Sequence, residues 1–263
     1  MKPKSGDTFR SMSININLEL TDHCNIKCTM CSQSMRDDAH GMPKKFMNWD
    51  TWKDSLHGLS DIEEDVHLCP HWLGEPTIHP EFDKFVEYAF AINQGNRLFR
   101  EFKLHTNGVV FSAARSKLLL RLANSPGQLE DTFRFLHFSV DAHSPPVYKL
   151  IKGADRGEQV YKNIERFLKI RDELQLTWPK VTLAYVVQPG NDHEARDFLE
   201  HWQMRLRAPA VTYDWPSELR DTIYFRPLNC GDQDQADKLH ADTCRAIGMD
   251  VPDTGRLRAA ESF

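Results

Sequence analysis

The feature that most constrains the fold of this chain is an alternation of short, β-branched apolar segments with longer segments of helical spacing. Repeated about six times, it predicts an α/β fold in which helices cover a parallel sheet. The predicted strands are residues 13–20, 65–73, 102–105, 133–140, 181–187 and 222–225. The predicted helices are residues 48–59, 80–91, 112–123, 159–174 and 192–205, and the regular pattern fades after Leu228.

Polar side chains cluster directly after each predicted strand. They are the cysteines that follow the first strand, then Gly74–Glu75, Thr106–Asn107, Ser139–Asp141 and Gln188. In parallel β/α folds, ligands bind at the carboxyl ends of the strands. The sequence therefore predicts a single site at this edge of the sheet, built from loops that are far apart in the chain.

Composition limits the classes of function. Of the 263 residues, 40% are hydrophobic and 27% are charged, which is typical of a globular protein. The net charge of −5 comes without a dense block of Lys and Arg, so no nucleic-acid-binding surface is indicated. The sequence has no apolar run of about 18 residues and no apolar signal core near its start, so we predict no membrane span and a cytoplasmic location.

Cys24, Cys28 and Cys31 lie within eight residues of one another, after the first strand. Thiolates are soft ligands that suit iron–sulfur clusters and zinc. Three of them on a tight loop can bind three corners of a cubane and leave one iron open to a substrate or cofactor. Zinc, or thiols that bind no metal, is the alternative. A closed zinc site needs four ligands. His23, adjacent to Cys24, is poorly spaced to complete such a site, and the sequence has no second C-x-x-C.

The C-x-x-x-C-x-x-C spacing resembles the signature of the radical S-adenosylmethionine (SAM) superfamily. The resemblance covers residues 14–202 and points to the branch that often carries a C-terminal SPASM or twitch extension. Further segments follow in the family's order. They are Leu73-Gly74-Glu75-Pro76, similar to G-G-E-P with Leu73 for the first glycine; Thr106-Asn107-Gly108, similar to T-N-G; Ser139-Val140-Asp141-Ala142 with Val147-Tyr148 and Asn163-Ile164; and Tyr185-Val186-Val187-Gln188 with Asn191 and Glu194.

The resemblance implies a partial (β/α)6 TIM-like barrel with parallel strands and a short irregular C-terminal extension. It divides the chain into an N-terminal segment at 1–13, the barrel at 14–226 and a tail at 227–263, interpreted as a vestigial SPASM or twitch region. It implies a [4Fe–4S] cluster and SAM, which is cleaved reductively to a 5′-deoxyadenosyl radical. That radical takes hydrogen from an unidentified small polar metabolite or peptide, and a flavodoxin or ferredoxin supplies the electron.

By the same resemblance, two pairs of residues are predicted to bind SAM. Gly74 and Glu75 would meet its ammonium group, since glycine permits a close backbone approach and a carboxylate or strand-end carbonyl suits a cation. Ser139 would bind its carboxylate, and Asp141 its ribose hydroxyls. The structural alternatives are an ordinary strand-to-helix turn for the first pair and a helix cap for the second.

Four further residues complete the predicted cofactor site. Met30 stands where many family members have an aromatic residue beside the adenine, and its thioether can pack there or serve as buried filler. Arg156 is a candidate for the SAM carboxylate, with a solvated surface arginine as the alternative. Asn107 and Gln188 are predicted either to line the site or to have ordinary roles at turns and strand ends.

The other three cysteines are not predicted to hold the first cluster. Cys69 lies in an apolar strand and is expected to be a buried small hydrophobe. Cys230 and Cys244 lie in the tail, where relatives with a SPASM extension hold auxiliary clusters. No cysteine follows Cys244, and two thiols are a thin ligand set, so the sequence favours free thiols over a second cluster.

Three classes of function fit these features. The first is an enzyme that abstracts hydrogen from an unactivated carbon. The second is a non-catalytic iron–sulfur protein for electron transfer or sensing, which would normally have four protein ligands for its cluster. The third is a zinc-stabilised structural module. Metal analysis separates the third from the others, and SAM cleavage separates the first from the second.

Overall fold

The computed structural model describes residues 12–35, 45–127, 129 and 131–251. At its centre is one seven-stranded, all-parallel sheet. Its strands are β1 (Ser13–Asn17), β2 (Asp65–Cys69), β3 (Glu101–Thr106), β4 (Phe135–Ser139), β5 (Lys180–Val187), β6 (Ala210–Thr212) and β7 (Thr222–Pro227). Their order is β1-β2-β3-β4-β5-β7-β6, so the sheet is open between β1 and β6 in the described part of the chain. This confirms the α/β partial barrel.

The described residues form eight α-helices, which connect or flank the strands. They are α1 (Ser32–Met35), α2 (Trp49–Gly58), α3 (Phe82–Asn96), α4 (Ala113–Ala123), α5 (Pro145–Lys152), α6 (Gly157–Glu173), α7 (Ala195–Gln203) and α8 (Gln233–Ala246). The Asn48 side chain caps α2 by accepting the Thr51 N–H, and Ser112 caps α4 by accepting the Arg115 N–H. A polar residue before an apolar periodic segment thus sets where each of these helices begins.

The two faces of the sheet differ in polarity. The outer face packs against helices and carries fully buried apolar side chains, among them Leu68, Phe102, Leu104, Leu136, Phe138, Leu183 and Phe225. Because side chains alternate along a strand, the opposite, inner face carries His67, Lys103, His105, His137, Thr182, Tyr224 and Arg226. Strands of a parallel sheet buried on both sides are almost continuously apolar. The polar inner face is therefore the interior of the open barrel.

The C-terminal extension departs from the irregular structure that was expected. Helix α8 covers Gln233–Ala246 and packs on β5 and β7. Its buried positions include Ala236, His240 and Cys244. Small and polar residues at these positions give no strong apolar period, which is why the helix was not predicted. His240 lies 3.2 Å from the Phe225 carbonyl oxygen and 3.4 Å from the Cys244 sulfur.

Further elements were also absent from the prediction. They include helix α5, the three-residue edge strand β6 and the four-residue helix α1, all short. Residues 1–11 and 252–263 lie outside the described residues, so the predicted terminal segments 1–13 and 227–263 are covered only in part. Among the described helices, none has the length and apolar character needed to cross a bilayer.

Candidate active site

The three cysteines lie on the loop between β1 and α1, where they are partly buried and unpaired. This cysteine loop, residues 21–31, packs against the end of α5, because the Thr29 N–H donates to the Ile151 carbonyl oxygen at 2.9 Å. Gly153 ends α5 with φ +65°, and a Cβ there would lie 2.3 Å from the Lys27 carbonyl oxygen. Glycine is therefore required for both the left-handed conformation and the close approach.

The segment after β2 supports the other side of the cysteine loop. The Glu75 N–H donates to the His23 carbonyl oxygen at 2.7 Å. A Cβ at Gly74 would lie 1.9 Å from the Thr21 carbonyl oxygen, so only glycine fits. The Glu19 carboxylate accepts the N–H groups of Gly74 and of the preceding residue, both at 2.6 Å. The predicted close approach at Gly74 is thus an approach to the cysteine loop.

Glu75 is buried, with 3% of its surface exposed. Its Oε1 accepts the Thr106 hydroxyl at 2.7 Å and both the hydroxyl and the N–H of Thr77 at 2.6 and 3.1 Å. Its Oε2 accepts the Asn107 N–H at 2.6 Å. Burial raises the pKa of Glu75, and these hydrogen bonds work against the rise. The Glu75 carboxylate is therefore bonded within the protein through both of its oxygens.

Asn107 joins the end of β3 to the cysteine loop. Its Nδ2 donates to Asn25 Oδ1 at 2.7 Å and lies 3.7 Å from the Cys24 sulfur, and its Oδ1 accepts the Val109 N–H at 3.0 Å. Burial raises the pKa of the Cys24 thiol to about 11. An N–H donor aimed at this sulfur favours the thiolate that a metal needs.

A buried ion pair lies beside the second cysteine. Lys152 Nζ donates to Asp141 Oδ2 at 2.6 Å, with 3% and 2% of the two side chains exposed, and Lys152 also contacts the Cys28 thiol. Asp141 Oδ1 accepts the Val186 N–H at 2.8 Å. Burial raises the pKa of the Cys28 thiol, and the Lys152 ammonium opposes that rise. Both Asp141 oxygens are thus bonded within the protein, in contrast to the ribose contact that was expected.

Ser139 and Arg156 differ in where they lie. Ser139 ends β4 on the inner face, half-buried, and the described contacts give its hydroxyl no partner. Arg156 is exposed at the position before α6, and its side chain has no described contact with the site. The structure brings Ser139 to the site edge but does not bring Arg156 there; the buried cation of the site is Lys152.

Met30 and Gln188 line one cavity of about 540 Å³ next to the cysteine loop, together with Leu150 and Ile151 of α5 and residues 228–231 of the tail. The Gln188 Nε2 is buried without a hydrogen-bond partner, while its Oε1 lies 3.5 Å from the Thr29 hydroxyl. A buried polar atom without a partner is costly unless a ligand or water satisfies it. The cavity has the size of sites that bind small molecules and cofactors.

The donors fit the groups implied by the sequence. In the described ranges, no three His, Cys, Asp or Glu side chains lie close enough to hold a single metal ion. Zinc needs its sulfur ligands at about 2.3 Å, whereas a cubane spreads three thiolates over three irons. Three cysteines on one loop can supply three ligands to such a cubane. The cavity at Gln188 and the unbonded Ser139 hydroxyl fit a polar cofactor beside it.

The fold and site together define an iron–sulfur enzyme of the open β/α-barrel class, with its cluster loop at the carboxyl edge of the sheet. The family model described as "Radical SAM superfamily" matches residues 18–201. The chain belongs to the radical SAM superfamily, whose members use a [4Fe–4S] cluster and SAM.

Curated relatives share the barrel region at moderate identity. The chain is 28% identical over 203 residues to a GTP 3′,8-cyclase of Edwardsiella ictaluri (strain 93-146), covering 76% of this chain and 54% of that protein. It is 22% identical over 216 residues to the tungsten-containing aldehyde ferredoxin oxidoreductase cofactor-modifying protein of Pyrococcus furiosus, covering 79% and 54%. The chain thus spans about half the length of the curated relatives it matches.

Solved structures share the fold at lower identity. Native anSMEcpe with bound AdoMet has a TM-score of 0.59 and 17% identity, covering 89% of this chain and 58% of that chain. Streptococcus suis SuiB bound to S-adenosylmethionine has a TM-score of 0.52 and 12% identity, covering 90% and 48%. At these identities the likeness shows the fold.

Sequence reasoning missed two charged residues of the site. Lys152 ends a helix that was not predicted, and the glycine that follows it was the one available signal. Glu19 lies beyond β1 with nothing nearby in the sequence to suggest its contact with Gly74. Cys69 is buried, as predicted. Cys244 is fully buried in α8 and Cys230 is exposed, which gives an auxiliary cluster no support.

Proposed function

We propose that the protein reductively cleaves SAM at a [4Fe–4S] cluster held by Cys24, Cys28 and Cys31. When bound, the two cofactors supply a 5′-deoxyadenosyl radical, which abstracts hydrogen from an unidentified polar metabolite or peptide. A flavodoxin or ferredoxin is the expected class of electron donor. The named relatives include both a nucleotide cyclase and a cofactor-modifying protein, so they select no single substrate.

One observation carries this proposal. Three unpaired thiols share one loop at the carboxyl edge of the sheet, and a cavity lined by Gln188, whose amide nitrogen has no partner, adjoins that loop. Three donors leave one position of a cubane open for a cofactor that chelates iron. A non-catalytic electron carrier would need neither the open position nor the adjoining cavity.

The chain's own residues have separate tasks in this proposal. The Asn107 amide near Cys24 and the Lys152 ammonium near Cys28 stabilise thiolate charge. Ser139 binds the SAM carboxylate, for which its hydroxyl is unengaged. Asp141 positions Lys152 instead of binding the ribose.

The remaining predicted contacts fall at the two sides of the loop. Gly74 and Glu75 meet the SAM ammonium through a backbone carbonyl at this strand end, since the Glu75 carboxylate is occupied by Thr77, Thr106 and Asn107. Met30 and Gln188 bind the adenine side, since both line the cavity. Arg156 has no task here, because it is exposed outside the site.

The direct test is anaerobic reconstitution with iron and sulfide, followed by incubation with SAM and dithionite and an assay for 5′-deoxyadenosine. We expect about four irons per chain and formation of the product. Cys28→Ala should lose both. Cys244→Ala is the matched control, because this thiol is buried in α8, outside both the cysteine loop and the cavity, and it should retain the iron. A stoichiometric zinc ion, or four irons without SAM cleavage, would contradict the proposal.

A further inference from the structure

Three histidines stack on the inner face of the sheet. The rings of His71 and His105 lie 4.3 Å apart, centroid to centroid, at 19°, and those of His105 and His137 lie 4.2 Å apart at 9°. His105 and His137 are register neighbours on β3 and β4, and His71 follows β2. This histidine stack therefore runs across three adjacent strands of the barrel interior.

The pKa values of the three stacked histidines are lowered, in each case mainly by burial. The His105 ring is exposed to solvent yet lies deep among protein groups, as expected in an open barrel, and burial lowers its pKa well below the ordinary value. Burial also lowers the pKa of His71 to about 4 and of His137 to about 3. The cationic side chains of Arg226 and Lys103 reinforce the effect on His105. Neutral imidazoles beside fixed cations form a surface that favours an anion.

Arg226 has no anion among the described residues. It lies on β7, on the same face, and its guanidinium makes no described hydrogen bond or ion pair. Lys103, in contrast, is 3.0 Å from Asn15 Oδ1 and 3.7 Å from Glu101. A half-enclosed, unpaired guanidinium is costly unless an acceptor meets it.

A second unsatisfied group lies on the same face. The Thr182 hydroxyl oxygen is buried without a partner, and Thr182 pairs in register with His137 on one side and Thr222 on the other. With 1% of its surface exposed, Thr182 is a built-in donor on the inner face and not a surface residue. It is therefore a second unsatisfied polar group on the inner face, independent of Arg226.

We propose that the inner face binds a substrate through an anionic oxygen group, a carboxylate or a phosphate, which pairs with Arg226 beside the histidine stack. The inference rests on the proposed function only in taking the inner face as the substrate side of the barrel. Bidentate geometry suits a guanidinium facing either group. The neutral histidines donate hydrogen bonds without adding a charge that would repel the neighbouring arginine.

The test uses the cluster-loaded protein with saturating SAM and no reductant, so that nothing turns over. Inorganic phosphate and succinate are titrated separately by calorimetry, and the histidine ring nitrogens are followed by NMR. We expect at least one probe to bind and to shift the His105 and His137 resonances, because hydrogen bonds from the neutral rings to the anion change the environment of the ring nitrogens. Arg226→Gln should weaken binding by about tenfold or more, as loss of a charged hydrogen bond implies.

Controls separate the contributions. Arg207→Gln removes a charge from a side chain that is 80% exposed, and should leave binding unchanged. Arg226→Lys keeps the charge, so it should bind more weakly than wild type but better than Arg226→Gln, and it serves if the glutamine variant does not fold. Tighter binding of phosphate would indicate a phosphorylated substrate, and tighter binding of succinate a carboxylate.

Two results would overturn the inference while leaving the proposed function intact. One is that neither probe binds to protein that holds its irons and cleaves SAM when reduced. The other is that Arg226→Gln binds as well as wild type. Failure of the proposed function would be seen separately, as missing iron or missing 5′-deoxyadenosine.

Discussion

The cysteine-loop edge and the inner face of the barrel are built in opposite ways. At the loop edge nearly every polar group has a partner: both Asp141 oxygens are bonded, Glu75 accepts four hydrogen bonds, and two glycines permit backbone contacts that no Cβ would allow. On the inner face the Thr182 hydroxyl has no partner, and Arg226 makes no described hydrogen bond or ion pair. The difference indicates a preorganised cofactor end and a substrate end that a ligand completes.

If the loop edge is preorganised, breaking the Lys152–Asp141 ion pair should give the largest loss of stability. Lys152→Met leaves Asp141 buried without its cation, and we expect a loss of about 3–5 kcal/mol in the free energy of unfolding. Urea unfolding of the metal-free protein measures it. Adding Asp141→Asn should recover much of the loss. Lys149→Met, at a side chain 65% exposed, should cost within about 0.5 kcal/mol. A loss of less than about 1 kcal/mol in the free energy of unfolding of Lys152→Met would contradict the comparison.

Gly74→Ala should have the next largest effect. The new methyl group would lie 1.9 Å from a backbone oxygen of the cysteine loop, so we expect about 3 kcal/mol of destabilisation and loss of bound iron. Gly95→Ala is the matched control: its Cβ would meet nothing within 4 Å in α3, and the change should stabilise by up to about 1 kcal/mol. Urea unfolding and iron analysis measure both. Equal behaviour of the two variants would argue against the packing described.

Mild acid should lower the free energy of unfolding through His137 on the inner face, by less than the two substitutions above. The pKa of His137 is about 3 in the folded protein, because of burial and then the charge of Arg226, against about 6.5 in the unfolded chain. The unfolded state therefore binds the extra proton, and stability is full above pH 6.5 and falls as pH drops toward 3. The loss from this group is about 1.4 kcal/mol at pH 5.5. Across this range, the free energy of unfolding of His137→Asn should depend less on pH than that of the wild-type protein. In the control His193→Asn, at an exposed histidine, it should depend on pH as in the wild type. An unchanged pH dependence in His137→Asn would contradict the assignment.

What the sequence could predict follows from the range of the interactions. The strand–helix alternation and the cysteine spacing are local patterns, and they led to the barrel and the cluster loop. Lys152 was missed because α5 begins with two prolines and is only eight residues long, too short for a clear period. Asp141 was assigned to a ligand because its partners, Lys152 and the Val186 N–H, are 11 and 45 residues away. The histidine stack depends on the register of three strands, which only the folded chain reveals.

The most direct test of the open iron position is electron paramagnetic resonance of the dithionite-reduced, reconstituted protein, recorded anaerobically with and without SAM. A cofactor that binds the fourth iron changes the electronic structure of the cluster, so we expect the g values to shift when SAM is added. The Cys244→Ala protein should show the same shift, because Cys244 is buried in α8, outside the cysteine loop and the cavity. A four-iron cluster whose spectrum is identical with and without SAM would show that its fourth position is already closed, which would contradict the account.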